Sequence, residues 1–324
     1  MGVALLTYPQ SNSLKLSQID KEAVFADKTY ASFEKLAKEK GIEVAYSLLK
    51  EKFPANQAAA HDFAHVVGLA SFEKKGPSGL SVCDAAYNYG CYHGFIEGFL
   101  VKKGPEAIVE IEKSCLALGS VHAPSCIHGI GHGVLAYRSY KLDEALMDCD
   151  VQKENTRIYC WDGVFMERIT GSMQNPKDRP ILTETTLNQP CDSIAYIYKK
   201  NCWRNQVAAW FIYFQNNPQK VGARCSLIEP EFQEVCFENI GFTNVMSAAE
   251  NRDLLIGWCQ IENGRISDSC IIGEMKELLF EGKSPQLAQS LCIIISPQKQ
   301  QDCHQQFQLH FAEYQTRFGQ KPQN

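Results

Sequence analysis

A short motif at residues 115–126, which read CLALGSVHAPSC, decides the fold of this chain. An apolar, helix-like stretch ends at its first cysteine and another opens at its last, with turn-forming residues between them. A bond between Cys115 and Cys126 would therefore join the two helices of one hairpin. Closing so short a loop contributes roughly 2–3 kcal/mol in the chain-entropy account of disulfides.

The same spacing recurs along the chain. The fourteen cysteines fall into seven close pairs, and ten residues separate the two members in six of them. The first members of successive pairs lie 32 to 42 residues apart, which is typical of stacked helical hairpins. The longest interval holds a polar stretch with two prolines at residues 175–180, which predicts a surface loop between repeats. The pairs are Cys83 with Cys91, Cys115 with Cys126, Cys149 with Cys160, Cys191 with Cys202, Cys225 with Cys236, Cys259 with Cys270, and Cys292 with Cys303.

These observations predict an all-α fold, an α-solenoid of about eight helical hairpins, seven of them clipped by a disulfide within the repeat. Bonds between neighbouring repeats are the alternative, whereas zinc thiolate sites normally use a tighter cysteine spacing. Residues 21–52 carry a helical pattern with a break at Gly41, and further helices are predicted over residues 57–74 and 305–318. The first hairpin therefore has no clip.

One continuous repeat domain is predicted over residues 20–318. Its histidine-rich part spans residues 57–170, and residues 181–318 are expected to form structural or partner-binding repeats. Residues 1–19 are interpreted as an N-terminal tail, a remnant of a removed signal or anchor, and residues 319–324 as a polar tail.

The disulfides indicate an oxidising, extracytoplasmic compartment, so the protein is expected to be secreted, periplasmic or membrane-anchored facing outside. A membrane tether upstream of residue 1 fits this expectation. The net charge is −5 and no lysine- or arginine-rich run is present, which argues against nucleic acid as a partner. The sequence does not predict the oligomeric state.

The tightest cysteine pair lies at residues 83–91, which read CDAAYNYGC. With this short loop, the chain resembles the Sel1-like and tetratricopeptide class of helical-hairpin repeats, above all its secreted, disulfide-clipped members. The other six pairs have longer loops, so the resemblance covers the architecture. It implies that a concave face binds peptides or proteins. A small molecule or a peptide is the partner that we expect at that face.

Histidine and carboxylate side chains recur in the second helices of the first four repeats. They are spaced i, i+4 in the first three, which places both on one helix face. The repeat period predicts one column of His61, His93, His128 and Asp162, and a second of His65, Glu97 and His132. Side chains from helices packed about 8–10 Å apart can meet around one ion.

We therefore predict a metal site. Its ligands would be His61, His65, His93, His128, His132 and Asp162, with Glu97 or Glu167 as the general base that activates a bound water. Imidazole with carboxylate suits zinc, iron, manganese or copper, and zinc is the first choice, iron or copper the next. Hydrolysis is the first candidate reaction and redox chemistry the second. The alternative is a non-catalytic binding scaffold in which the histidines only lock neighbouring repeats together.

Overall fold

The computed structural model describes residues 19–26, 30–53, 60–87, 89–170, 182–248, 250–262 and 264–318. The predicted loop at residues 175–180, the polar tail at residues 319–324 and all but the last residue of the N-terminal tail lie outside these residues. Helices dominate the described residues, which confirms the predicted all-α class. None of the described helices is both long and apolar enough to span a bilayer.

The helices group into two compact units, which we call unit 1 (Met1–Gly104) and unit 2 (Pro105–Asn324). The boundary falls inside the predicted histidine ladder, and the single domain over residues 20–318 stays a prediction. Unit 1 consists of α1 (Lys21–Phe25), α2 (Ala31–Lys40), α3 (Ile42–Lys52), α4 (His61–Lys75), a 3-10 helix (Gly76–Val82) and α5 (Gly90–Lys103).

Unit 2 begins with a 3-10 helix (Pro105–Ala107) and continues as helices that alternate between shorter and longer, with one exception where two long helices follow one another. These are α6 (Ile108–Leu116), α7 (Ala123–Tyr137), α8 (Leu142–Asp150), α9 (Glu154–Thr170), α10 (Tyr196–Tyr213), α11 (Pro218–Cys225), α12 (Pro230–Ala248), α13 (Arg252–Trp258), α14 (Asp268–Phe280), α15 (Pro285–Leu291) and α16 (Pro297–Phe318). Within the loop that joins α13 to α14, β1 (Gln260–Glu262) and β2 (Arg265–Ile266) pair antiparallel.

All seven predicted disulfides are confirmed, because each cysteine is bonded to the other member of its own pair and none to a neighbouring repeat. All fourteen cysteines are buried. The bonds join Cys83 to Cys91, Cys115 to Cys126, Cys149 to Cys160, Cys191 to Cys202, Cys225 to Cys236, Cys259 to Cys270, and Cys292 to Cys303. The alternative of bonds between repeats is thereby ruled out.

The bonds clip the end of a shorter helix to the start of a longer one in most repeats, as the sequence predicts. Two first cysteines depart from that expectation. Cys83 follows a 3-10 helix. Cys191 lies in a run of turns, because the segment before it makes local turn hydrogen bonds, such as that from Thr186 N–H to the Thr183 carbonyl. The first helix is therefore shortened or replaced in these two repeats.

The predicted break at Gly41 is confirmed, because α2 ends and α3 begins on either side of it. Its φ of +108° lies in a region that glycine adopts without the steric cost met by other residues. The chain can therefore reverse here without a longer loop, and this brings α2 and α3 together as the first hairpin of unit 1.

Three helix pairs pack with their backbones in direct approach: α4 with α5, α7 with α9, and α12 with α14. Glycines allow this, because a Cβ atom at any of six positions would lie only 1.9–2.1 Å from a carbonyl oxygen of the partner helix. The six are Gly68 and Gly94, Gly131 and Gly163, and Gly241 and Gly273. The contacts define a common register for the three pairs. Gly94 faces the carbonyl of His65, Gly163 that of His128, and Gly273 that of Glu238.

An aromatic cluster takes the place of a disulfide in α4. In the common register, Phe63 of α4 stands where Cys126 stands in α7, five residues before the contact glycine of its helix. The rings of Phe25, Tyr30 and Phe33 lie 4.6–5.3 Å from that of Phe63. Such aromatic pairs contribute about 0.5–1.5 kcal/mol beyond the apolar area they bury, so the cluster can hold the start of α4 without a covalent clip.

Candidate metal centres

Three histidines of unit 1 converge between α4 and α5. His61 and His65 stand one turn apart on α4, and His93 faces them from the first turn of α5. One nitrogen of each ring lies within 4.8 Å of one nitrogen of the other two. The ring centroids of His61 and His65 lie 5.4 and 5.5 Å from that of His93. The three rings can thus share one small volume.

A backbone carbonyl sets the orientation of His61. Its Nδ1 lies 2.7 Å from the carbonyl oxygen of Tyr87, and its Nε2 lies 3.0 Å from Nε2 of His65. Because a carbonyl only accepts, Nδ1 carries the hydrogen and Nε2 turns its lone pair toward His65 when the ring is neutral. Tyr87 has a φ of +55° inside the loop closed by Cys83 and Cys91, and that loop presents the carbonyl.

Glu97 lies beside this cluster on the next turn of α5. Its carboxylate is 4.0 Å from Nδ1 of His65, and about half of its side chain (48%) is exposed to solvent. A carboxylate at this distance stabilises positive charge on the histidines while remaining accessible to water. These properties suit a general base better than they suit a buried ligand.

A second histidine pair lies in unit 2, between α7 and α9. Nε2 of His128 and Nε2 of His132 lie 3.0 Å apart, the same separation as in the pair on α4. Two carboxylates of α9 face the opposite nitrogens of the two rings. Nδ1 of His132 is 2.9 Å from Oε2 of Glu167, and Nδ1 of His128 is 3.2 Å from Oδ2 of Asp162.

Glu167 is itself held by a neighbour. Its side chain is fully buried, and the Tyr140 hydroxyl donates a hydrogen bond of 2.5 Å to its Oε1. His132 is buried as well, and this burial lowers its pKa below the ordinary value despite the nearby carboxylate. The Glu167 carboxylate therefore orients the imidazole of His132 and is not exposed to solvent.

Asp162 is anchored from α10. Nδ2 of Asn205 donates a hydrogen bond of 2.8 Å to its Oδ1, and Nε of Arg204 lies 3.9 Å from the same atom. Burial acts to raise the pKa of Asp162, but Arg204, His128 and Asn205 outweigh it and hold the pKa well below the usual range. Asp162 is therefore a carboxylate over the whole range of ordinary pH.

His61 lies beside His93 as predicted, with ring centroids 5.4 Å apart, but its predicted correspondence with His128 is wrong by one helical turn. The glycine contacts place His65, and not His61, at the position of His128. The physical reason is that the close backbone contact sets the register, and α4 carries no cysteine from which it could be counted. Within each unit the predicted neighbours do meet, because His128 faces Asp162 and His65 lies near Glu97. Since the ladder crosses from unit 1 to unit 2 after His93, its continuity stays a prediction.

Four groups that shape the two clusters are not among the site residues that the sequence predicts. The first is the carbonyl of Tyr87. Every residue has a backbone carbonyl, so the sequence does not show which one faces a histidine. Tyr140 lies in the turn after α7, and Arg204 and Asn205 belong to a repeat with no histidine in its second helix. Arg204 stands two residues after its cysteine, as His128 does, and the repeat period could have pointed to it.

A third group has the composition of a metal site, namely Cys259, Cys270 and Glu274. The two cysteines are bonded to each other, so they offer no thiolate. Among the described residues, the histidine clusters are therefore the groups with ligand chemistry. Comparisons with protein-family models, with curated proteins and with solved structures gave no match.

Proposed function

We propose that this chain is an extracytoplasmic metal-binding protein whose ion is held by His61, His65 and His93 in unit 1. The observation that carries the proposal is the convergence of three imidazoles within 4.8 Å, one of them fixed by a backbone carbonyl. A ligating histidine commonly donates a hydrogen bond from the N–H of its second ring nitrogen to such an acceptor. Zinc is the first choice of ion, and iron or copper the next.

Helix packing alone does not call for histidine at these positions. The α12/α14 pair brings Gly241 and Gly273 equally close to the partner backbone. There Glu238 stands in the place of His65, and its carboxylate pairs with Nζ of Lys276 at 2.8 Å. An ion pair is therefore sufficient for a stacked helix pair of this geometry, and this argues for a further role of the histidines.

Three imidazoles leave a coordination position open on a zinc ion. A bound Zn²⁺ would lower the pKa of a water molecule in that position toward 7. Glu97, half exposed and 4.0 Å from His65, is placed to accept a proton there. Hydrolysis is therefore the first reaction we propose, and a redox reaction at iron or copper is the second.

The disulfides point to an oxidising compartment outside the cytosol. Within that range we propose a secreted or periplasmic protein, or one tethered to a membrane and facing outside. We also propose that the hairpins are distant members of the Sel1-like and tetratricopeptide class, since the loop from Cys83 to Cys91 has the short spacing of its clipped repeats.

Metal content tests the proposal directly. Untagged protein purified without chelators is analysed by elemental mass spectrometry beside the double variant His61→Ala/His93→Ala. The control is His304→Ala, an exposed histidine of α16. We expect the double variant to lose one equivalent of a transition metal and the control to lose none. An unchanged metal content in the double variant would overturn the proposal, as would a wild-type protein that binds no zinc, iron or copper on incubation.

The hydrolytic step has its own test. Hydrolysis of p-nitrophenyl acetate and p-nitrophenyl phosphate is measured for the wild type and for Glu97→Gln. If Glu97 is the base, its replacement lowers the rate by about 10²-fold or more while the metal content stays unchanged. Equal rates at equal metal content would remove Glu97 from the reaction.

A groove in unit 2 favours a second candidate function, a binding scaffold. The groove has a volume of about 290 Å³ and is lined by charges of both signs, among them Lys200, Arg204, Glu238 and Lys276. Such a lining suits a peptide or a zwitterionic small molecule. This function predicts that peptide binding survives removal of the unit 1 histidines.

A further inference from the structure

We propose that unit 2 carries a second metal site of its own, in which His128 and His132 are the ligands and Asp162 and Glu167 orient them from behind. The two carboxylates then have a role different from the ligand and the general base that the sequence suggests. The site is independent of the three histidines of unit 1.

The groups that face each Nδ1 determine where the hydrogens lie on the two rings. A neutral imidazole has one N–H donor and one acceptor nitrogen, and an ionised carboxylate oxygen only accepts. Nδ1 of His132 faces Glu167 at 2.9 Å and Nδ1 of His128 faces Asp162 at 3.2 Å. When both carboxylates are ionised, each Nδ1 therefore carries the hydrogen. Both Nε2 atoms are then acceptors, and they face each other across 3.0 Å.

Two lone pairs at this distance repel unless a cation lies between them. The pair on α4 differs, because one choice of tautomer, a hydrogen on Nε2 of His65, turns its 3.0 Å contact into an ordinary hydrogen bond. In unit 2 each carboxylate favours a hydrogen on the Nδ1 that it faces, so neither neutral ring carries a hydrogen on Nε2. The geometry of α7 and α9 thus favours a bound cation more strongly than that of α4 and α5.

The separation of the two nitrogens suits a transition metal. Two nitrogens bound at 2.0–2.1 Å in a tetrahedral arrangement lie about 3.3 Å apart, so an outward movement of a few tenths of an ångström would admit zinc. A carboxylate behind each imidazole is a common second partner of metal-ligating histidines, because it fixes the ring and raises the basicity of the ligand.

Access is available from one side. The side chains of His128 and Asp162 are 19% and 14% exposed, whereas those of His132 and Glu167 are 5% and 0% exposed. An ion would enter from the His128 end and would leave its remaining coordination positions toward solvent. Two protein ligands with open positions suit a first-row divalent ion such as zinc or copper.

The experiment uses His61→Ala/His93→Ala as the background, so that unit 1 contributes no ion. Zinc and copper binding are measured by equilibrium dialysis and elemental mass spectrometry. We add His128→Ala to the background, and as a matched control Glu238→Ala, which changes the same register position in the α12/α14 pair. We expect one equivalent in the background and in the control, and a loss of at least tenfold in affinity with His128→Ala.

The outcomes separate the two proposals. One equivalent in the wild type and none in the background would overturn the second site alone and leave a proton as the cation between the rings. One equivalent in both would overturn the unit 1 site alone. No ion in either would overturn both. Circular dichroism at the wild-type level shows that His128→Ala has kept its fold, and His128→Gln is a second variant if it has not.

The role of the carboxylates has a separate readout. Glu167→Gln keeps an oxygen that can accept from His132 but removes the charge. We expect zinc affinity to fall about 10- to 100-fold while X-ray absorption still reports the same two imidazoles around the ion. A change in the number of oxygen ligands on this substitution would overturn the assignment and make Glu167 a ligand.

Discussion

The α4/α5 pair of unit 1 and the α7/α9 pair of unit 2 share one backbone contact but differ in the side chains beside it. In both, two histidines one turn apart bring Nε2 atoms to 3.0 Å. The pair on α4 meets a third histidine, His93, whereas the pair on α7 meets the carboxylates of Asp162 and Glu167. The difference arises because the pair on α7 is displaced by one turn along the common register. His132 therefore lies beside Glu167, which is more than one turn beyond Asp162 on the partner helix.

The α12/α14 pair serves as an internal reference for both. It repeats the glycine contacts, but Glu238 and Lys276 form an ion pair where the other two pairs carry histidine. The comparison teaches that the glycines determine where two helices meet, and that the side chains beside them determine the chemistry of the contact.

The largest effect is expected from filling the glycine contacts. An added Cβ atom would lie 1.9–2.0 Å from a backbone carbonyl oxygen in Gly94→Ala, Gly163→Ala and Gly273→Ala, so the helices must separate. Overpacking of this kind should lower the free energy of unfolding by about 3 kcal/mol or more. Chemical denaturation measures that loss, and metal analysis should show that only Gly94→Ala impairs the first site and only Gly163→Ala the second. Loss of metal in Gly273→Ala would contradict the expectation that the α12/α14 pair takes no part in metal binding.

The reference pair carries a buried carboxylate at a position where the other two pairs carry an apolar residue. Glu274 stands where Phe95 and Val164 stand, and burial raises its pKa to about 9 from an ordinary 4.5. Its folded form is protonated, so its contribution to stability is full below pH 4.5 and is lost as the pH rises through 9. Glu274→Gln should therefore raise the free energy of unfolding at pH 8 by about 3 kcal/mol and change little at pH 5.

Urea unfolding at the two pH values measures this difference. The control is Glu231→Gln, an exposed glutamate of α12, which should leave the pH dependence unchanged. A wild-type protein whose stability does not fall between pH 5 and pH 8 would contradict the prediction.

A smaller effect is expected from opening the loop that orients His61. Replacing Cys83 and Cys91 together by alanine should cost about 2–3 kcal/mol in unfolding free energy. It should also weaken metal binding in unit 1 by about tenfold, because the Tyr87 carbonyl is no longer held against the ring. The control replaces Cys292 and Cys303 by alanine, which removes a disulfide of unit 2 outside both clusters. Equal metal affinities in both variants would show that the loop does not position the ligand.

The smallest effect concerns the hydroxyl behind the second site. Tyr140→Phe removes the hydrogen bond to Glu167 and should lower stability by about 1 kcal/mol. Zinc affinity in unit 2 should fall by less than tenfold, since the carboxylate remains. Tyr198→Phe removes a similar hydrogen bond, to Asp150, and should leave zinc affinity unchanged. Isothermal titration with zinc would distinguish the two variants.

The fold could be predicted from the cysteines because each pair fixes the end of one helix and the start of the next at a constant spacing. That logic fails where a cysteine is missing. In α4 the equivalent residue is Phe63, and without a cysteine there the repeat period places the histidine pair one turn away from its register in the structure. It also fails at Cys191, where local turn hydrogen bonds replace the first helix of the repeat.

The candidate site was predictable as a set of residues but not as an arrangement. Histidines at i, i+4 predict a shared helix face, whereas the partner of each Nδ1 depends on tertiary contacts. Glu167 illustrates this, since its i, i+5 spacing from Asp162 gives no hint that it would be buried behind His132. The choice between base and orienting carboxylate rests on burial, which a single sequence does not reveal.

The common register has an evolutionary consequence. A glycine-paired hairpin supplies the backbone of the proposed metal sites whatever its ligands are, so a few point substitutions would create or remove such a site. The α12/α14 pair already carries Glu277 at the position of Glu167. Glu238→His, Phe242→His and Ile272→Asp would complete the pattern there. If the proposed metal sites are present, repeats of this kind can exchange an ion pair for a metal centre by substitution of a few side chains, while the glycine contacts keep the helices in place.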